Sequence, residues 1–208
     1  PPTNPHHPPK QHIPKPTRYA ISTENWSRNQ DEINDLKKIM LSYLESKDID
    51  KIIQNGVIIK IIGNPSKFGE QIQNKIRIIE EKSKLLNSNN PKLFLNIALN
   101  YGSRQEIAST FNKIIMDKIT KFTNIDDLRL FLLQNQINDN DVSSNLEESD
   151  DVDLLIRTGG DFRLSNFLLW QCGYAELFFT KTMWPDFSSQ DLLDAISFFA
   201  KQNRNFGI

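Results

Sequence analysis

Hydrophobic positions along this chain recur with two periods, and the switching between them predicts its elements. A short run at residues 18–22, with Tyr19, Ala20 and Ile21, reads as the end of a buried strand. Ile33, Leu36, Ile39, Met40, Tyr43 and Leu44 then recur at spacings of three and four, one face of a helix within 29–47. Asp31 and Glu32 near its start suit the helix dipole, and Gly56 is the expected stop. Residues 57–62 form a β-branched run apolar on both faces, as in a strand buried in a parallel sheet. A long helix is expected over 66–86, with Phe68, Ile72, Ile76, Ile79 and Leu86 inward. Residues 93–99 read as a strand, 105–121 as a helix and 126–134 as a second, short one. The pattern continues with a strand over 152–156, a short helical segment over 166–171, a strand over 176–179 and a closing helix over 188–201.

Strands alternating with helices predict an α/β fold, a mostly parallel central sheet with helices on both faces. There is no internal repeat. Residues 1–17 hold seven of the ten prolines and read as an extended or disordered arm. Residues 138–150 are polar and acidic and read as a solvated loop.

Composition narrows the chemistry. With 25 Lys and Arg against 26 Asp and Glu, the chain has no charge excess with which to coat nucleic acid. Its one cysteine, Cys172, rules out an internal disulfide framework and a Cys-based zinc site. The three histidines are His6, His7 and His12, so a body beginning at residue 18 has no imidazole for a triad or a metal. Acid–base work there falls to carboxylates, amides, hydroxyls or the phosphates of a substrate. No window holds the roughly 18 consecutive apolar residues of a spanning helix, and no secretory signal is visible. A cytosolic or cytosol-facing protein is expected, with peripheral membrane contact left open.

The polar clusters follow the predicted strands, where an open α/β sheet binds its ligands. They are residues 22–28, 63–64, 100–104 and 157–165. Arg157, Arg163 and Ser165 beside Gly159 and Gly160 make a candidate oxyanion site, because guanidinium forks grip phosphate and glycines let the backbone approach. Ordinary ion pairing is the alternative. Glu176 reads either as a lone metal-binding carboxylate, sufficient for Mg²⁺ when substrate phosphates and water complete the shell, or as a cap. Phe167, Trp170, Tyr174, Phe178, Phe179, Trp184 and Phe187 are dense enough for a ligand pocket, but core or subunit interface is the plainer expectation. Cys172, with no histidine to activate it, is expected to be a small buried residue.

The segment Ser22-Thr23-Glu24-Asn25-Trp26-Ser27-Arg28 resembles the Ser/Thr-Glu-Asn-Trp signature of the cis-prenyltransferases, the undecaprenyl and dehydrodolichyl diphosphate synthases. Residues 95–104 resemble that family's Asn-Tyr-Gly-Gly-Arg block. Residues 153–171 resemble its Arg-Thr-Gly-Gly segment with the following Ser-Asn-Phe-Leu-Leu-Trp-Gln, continued by Tyr174-Ala175-Glu176 and Trp184-Pro185-Asp186-Phe187. The resemblance spans residues 18–208, the expected domain.

It implies an enzyme that adds isopentenyl diphosphate to a farnesyl-like allylic diphosphate with Z geometry, for dolichol or polyprenol carriers. Arg157, Arg163 and Ser165 would hold the isopentenyl diphosphate, with Leu164 among the substrate-binding positions. Ser22, Thr23, Glu24, Trp26 and Arg28 would line the substrate site. Asn25 falls on the family's proposed proton acceptor, and Glu176 would share in binding Mg²⁺. The apolar product would lie between the sheet and helices such as 29–47. The family also implies a homodimer or a heteromer with a related subunit, and a cytoplasmic location, peripheral on the endoplasmic reticulum membrane.

Three features depart from the family pattern. Its Asp-Gly-Asn-Gly-Arg-Trp loop, in the βα unit expected before Tyr19, has no match in residues 1–17, so little synthase activity is expected of residues 1–208 alone. Its Arg-x-Gly motif would fall on 205–207, where Asn205 stands beside Arg204, and residues 138–150 look like an insertion. The chain is then expected to be either part of an active synthase, or a silent relative or partner subunit.

Overall fold

Strand β3 (Leu93–Tyr101) runs through the middle of a three-stranded parallel sheet, between β1 (Thr17–Ser22) and β2 (Val57–Gly63). In this computed structural model the described residues are 14–119, 121–125, 127–128, 131 and 151–203, in two compact units divided between Val142 and Ser143. The arm as far as residue 13, the acidic stretch 138–150, most of the helix expected over 126–134, and residues 204–207 lie outside them.

The first unit carries that sheet with helices α1 (Gln30–Leu44), α2 (Lys47–Gln54), α3 (Glu70–Asn87) and α4 (Ser103–Met116). Its core joins Ile53 of α2, Ile59 and Ile61 of β2, Ile72 and Ile76 of α3, and Leu99 of β3. Burying each such side chain contributes about 1.5–3 kcal/mol. Ile39 and Tyr43, read as inward from their spacing, are 66% and 46% exposed.

Gly69 (φ +89°) parts a 3₁₀ turn at Pro65–Phe68 from α3, so the single helix expected over 66–86 is two pieces. Leu86, expected inward, is 60% exposed. A polar row on α3 turns toward β2 instead. The Ile59 N–H donates to Ser83 Oγ at 3.1 Å, the Ile61 N–H to Glu80 Oε1 at 2.7 Å, and Asn87 Nδ2 donates to the Val57 carbonyl at 3.3 Å. The outer rim of β2 thus finds hydrogen-bond partners on a helix, and a bare strand edge is avoided. At the end of β2, Gly63 (φ +99°) lies so close to β3 that a Cβ there would stand 2.3 Å from the Leu99 carbonyl oxygen. Glycine is required at that crossing.

The second unit pairs β4 (Leu154–Arg157) with β5 (Glu176–Phe179) in parallel, Leu154 opposite Glu176 and Arg157 opposite Phe179. Helix α5 (Ser189–Ala200) closes it. Its Ser188 cap and Asp191 bond reciprocally, and these bonds, the Ser188 hydroxyl first, lower the Asp191 pKa. The expected short helix over 166–171 is absent. Ser165, Asn166 and Leu168 take left-handed φ of 49°, 60° and 45°, which breaks a right-handed run into turns.

Candidate functional site

In the first unit the signature residues form one tight turn. Ser22 caps the 3₁₀ segment Thr23–Ser27, its Oγ accepting the Glu24 N–H at 3.0 Å while the Ser22 N–H donates to Asn25 Oδ1 at 2.8 Å. The Ser22 and Thr23 hydroxyls both donate to Glu24 Oε2, at 2.6 and 3.1 Å. Ser22, Thr23, Glu24 and Asn25 therefore share a local hydrogen-bond lattice, which the Arg28 N–H joins at the Asn25 carbonyl, 3.2 Å away. The Arg28–Glu32 pair, 3.6 Å apart, is half exposed and adds little by itself.

Trp26 ties this turn to the sheet. Its Nε1–H donates to Asn100 Oδ1 at 2.6 Å, its ring meets Phe68 edge to face at 5.1 Å, and the Lys37 and Lys67 ammoniums each lie 5.6 Å from the indole. Ile21, Asn25, Trp26, Ile33, Leu36 and Phe68 surround a cavity of about 10 Å³. That space is close to the least that one water needs, about 10–15 Å³.

Beside it, at the end of β3, Tyr101 is buried and donates to Glu106 of α4, while Tyr19 Oη donates to the Tyr101 carbonyl at 3.1 Å. Burial pushes the Glu106 carboxyl up to about 7, the Tyr101 hydrogen bond offsetting part of the rise. Burial, and then the neighbouring Glu106, raise the Tyr101 phenol as well.

In the second unit the loop after β4 gathers Arg157, Arg163 and Ser165. Arg157 Nη1 donates to the Arg163 carbonyl at 2.5 Å and to Ser165 Oγ at 2.8 Å, and its Nη2 to Asp161 Oδ2 at 3.0 Å. Arg163 Nη2 reaches the same Asp161 oxygen at 2.5 Å. Two guanidinium groups thus converge on one anionic oxygen, with a hydroxyl alongside. Five residues with positive φ, Gly159, Gly160, Ser165, Asn166 and Leu168, shape this loop, and such clustering accompanies functional sites. The ion-pair alternative is what the folded loop shows, with the Asp161 carboxylate meeting both guanidinium groups.

Glu176 opens β5, half buried, its N–H donating to the Asp153 carbonyl at 2.9 Å. Among the described residues no three His, Cys, Asp or Glu side chains gather as a metal cage. A single carboxylate does not fit an all-protein divalent site, but it fits Mg²⁺ whose other ligands are substrate phosphates and water.

Of the aromatic residues expected in core or interface, Trp170, Tyr174 and Trp184 are 39%, 75% and 52% exposed, and Phe167, Phe178, Phe179 and Phe187 are only partly covered. They pair along the surface of the unit, Trp184 stacking on Phe187 at 5.8 Å and Phe178 meeting Phe198 at 5.4 Å. Cys172 is buried as expected, and burial with the nearby Asp151 charge raises its thiol to about 11.

Two residues with structural standing at the site lay within the polar clusters of the sequence but were not singled out there. Asp161 carries its signal in its place between Arg157 and Arg163, since an acid so placed pairs with both. Asn100 carries a fainter one, an amide at a strand end, where left-handed turns favour Asn.

Comparison with known proteins bears on both units. A family model described as putative undecaprenyl diphosphate synthase matches residues 8–207. An isoprenyl transferase of Rickettsia bellii is 42% identical over 195 residues, covering 94% of this chain and 78% of that protein. A ditrans,polycis-undecaprenyl-diphosphate synthase of Vibrio vulnificus, (2E,6E)-farnesyl-diphosphate specific, is 36% identical over 200 residues, covering 95% and 74%. Two solved structures are also similar. A probable undecaprenyl diphosphate synthase from Campylobacter jejuni has a TM-score of 0.75 at 32% identity, covering 94% of this chain and 84% of that one. Lavandulyl diphosphate synthase from Lavandula x intermedia, in complex with dimethylallyl diphosphate, has a TM-score of 0.79 at 30% identity, covering 94% and 80%.

Proposed function

This chain belongs to the cis-prenyltransferase family of undecaprenyl diphosphate synthases, and from that premise we propose that it joins isopentenyl diphosphate to an allylic diphosphate with Z geometry. Family membership makes it a prenyltransferase of the polyprenyl diphosphate synthase kind. The residue roles, the cation, the product and the assembly are our reading.

In that reading Arg157, Arg163 and Ser165 hold the diphosphate of isopentenyl diphosphate, with Leu164 beside it. The observation that carries this is the convergence of both guanidinium groups on Asp161. Ser22, Thr23, Glu24, Trp26 and Arg28 line the site for a farnesyl-like allylic diphosphate. In the reaction the allylic carbon–oxygen bond breaks, diphosphate leaves with the electron pair, isopentenyl supplies the new carbon–carbon bond, and one of its protons departs. Fixed cationic groups stabilise the charge gathering on the leaving group. Asn25 Oδ1 accepts the Ser22 N–H and keeps a second lone pair with which to receive the departing proton. Glu176 would hold Mg²⁺ together with substrate phosphate, and the ion would supply further neutralisation of the leaving diphosphate. The prenyl tail lies between the sheet and α1. The small cavity there, lined by Ile33 and Leu36 of α1 and by Ile21 of β1, would give it an apolar wall.

We assign residues 18–208 to this activity and place the product among polyprenyl carriers such as the precursor of dolichol. The enzyme works in the cytoplasm as a homodimer or heteromer, peripheral to the endoplasmic reticulum membrane. Among the described residues no helix is long and apolar enough to cross a membrane, which is compatible with that attachment.

A second reading is a binding-only relative or the partner subunit of a heteromeric synthase, in which the same loops hold diphosphates without joining them.

One series of assays tests both. Labelled isopentenyl diphosphate, farnesyl diphosphate and Mg²⁺ are supplied to the protein, and incorporation and binding are measured. Arg157→Ala and Arg163→Ala should each weaken isopentenyl diphosphate binding about tenfold or more, the loss of a charged hydrogen bond. Binding without incorporation would favour the second reading. Unchanged isopentenyl diphosphate affinity in both variants would sink the first assignment.

A further inference from the structure

We propose that Asn100 is a positioning residue for the allylic half of the site, holding the Trp26 indole and through it the turn of residues 22–28. The inference rests on the proposed function only in taking that turn as substrate-lining; the anchoring itself rests on geometry.

Asn100 is 6% exposed and φ there is +47°, a conformation that costs most side chains and suits Asn. Both ends of its carboxamide are used. Oδ1 accepts the Trp26 Nε1–H at 2.6 Å, and Nδ2 donates to the Asn64 carbonyl at 2.7 Å. The Asn64 N–H returns a longer bond, 3.4 Å, to the Asn100 carbonyl. One side chain thus joins the ends of β2 and β3 to the turn that follows β1.

The identity of the residue follows from these demands. Glycine would accept the backbone angle and lose both bonds. Aspartate would keep an acceptor for the indole but have no hydrogen to donate to Asn64. Trp26 in turn directly follows Asn25, and both line the small cavity. An indole released from Asn100 would rotate against Phe68 and carry the peptide of Asn25 with it. Residues that share one network give non-additive effects, which separates positioning from general stability.

The test uses a parent chain in which Trp170→Phe and Trp184→Phe leave Trp26 as the single fluorophore of the three tryptophans. Acrylamide quenching is measured without ligand, and farnesyl diphosphate is then titrated. Asn100→Gly should raise the quenching constant about twofold and weaken farnesyl diphosphate binding about tenfold, as expected for a lost buried hydrogen bond. Asn100→Asp should hold quenching at the parental value, and it also serves if the glycine variant fails to fold. Trp26→Phe should weaken binding to a similar extent, and Asn100→Gly added to it should cost nothing more. Unchanged quenching in Asn100→Gly, a quenching rise in Asn100→Asp equal to that of the glycine variant, or multiplying losses in the double variant would overturn the proposal. If the parent binds no farnesyl diphosphate, the functional reading of the turn fails, and the quenching comparison still decides whether Asn100 holds Trp26.

Discussion

At the scale of single residues, burial decides what a side chain can do, and Glu106 shows it most plainly. Its carboxyl is raised from an ordinary 4.5 to about 7 by loss of water. Between those values the folded chain binds a proton that the unfolded chain releases. Stability therefore falls as pH rises through that window. Below about 4.5 the contribution is complete, and above about 7 it is gone. Thermal melts between pH 5 and 8 should show a declining Tm, and Glu106→Gln should flatten the decline. An equal slope in both proteins would contradict the assignment. No periodicity could have revealed this group, because Glu106 reads in sequence as an ordinary first-turn acid of a helix. Its burial beside Tyr101 comes from the way β3 enters α4. That Arg157, Arg163 and Ser165 gather was legible because two arginines and a hydroxyl share one short loop. Asp161 was less so, because only the folded loop brings both arginines to one and the same oxygen.

At the scale of elements, apolar spacing predicts existence well and boundaries less well. The row Phe68, Ile72, Ile76 keeps its helical spacing across Gly69, so the break there is invisible to periodicity. Around residues 166–171 the opposite happens, since helix-like composition conceals left-handed backbone that supports the arginine loop. The row Glu80, Ser83, Asn87 was equally hidden, because polar residues at spacings of three and four read as a solvated face. Ser83 is in fact fully buried against β2. Ser83→Ala would leave the Ile59 N–H without its partner and cost about 1–3 kcal/mol. Urea titration should show a lower midpoint at unchanged slope; a midpoint within error of the parent would show that the rim of β2 does not depend on Ser83.

At the scale of the molecule, the fold class and the ordered series of motifs were readable because parallel α/β architecture writes itself as alternating periods, with polar loops after its strands. Near-neutral charge excluded a nucleic-acid coat, whereas diphosphate substrates entered only with the family resemblance of the ordered motifs. The buried thiol of Cys172 gives the whole chain one more property. With its pKa at about 11, it is thiolate in only about one molecule in ten thousand at pH 7, and it is shielded besides. Iodoacetamide should modify the folded chain very slowly and the urea-unfolded chain readily. As the chain has a single cysteine, mass spectrometry of the alkylated fraction would count molecules whose second unit has opened, a built-in clock for unfolding that requires no added label site.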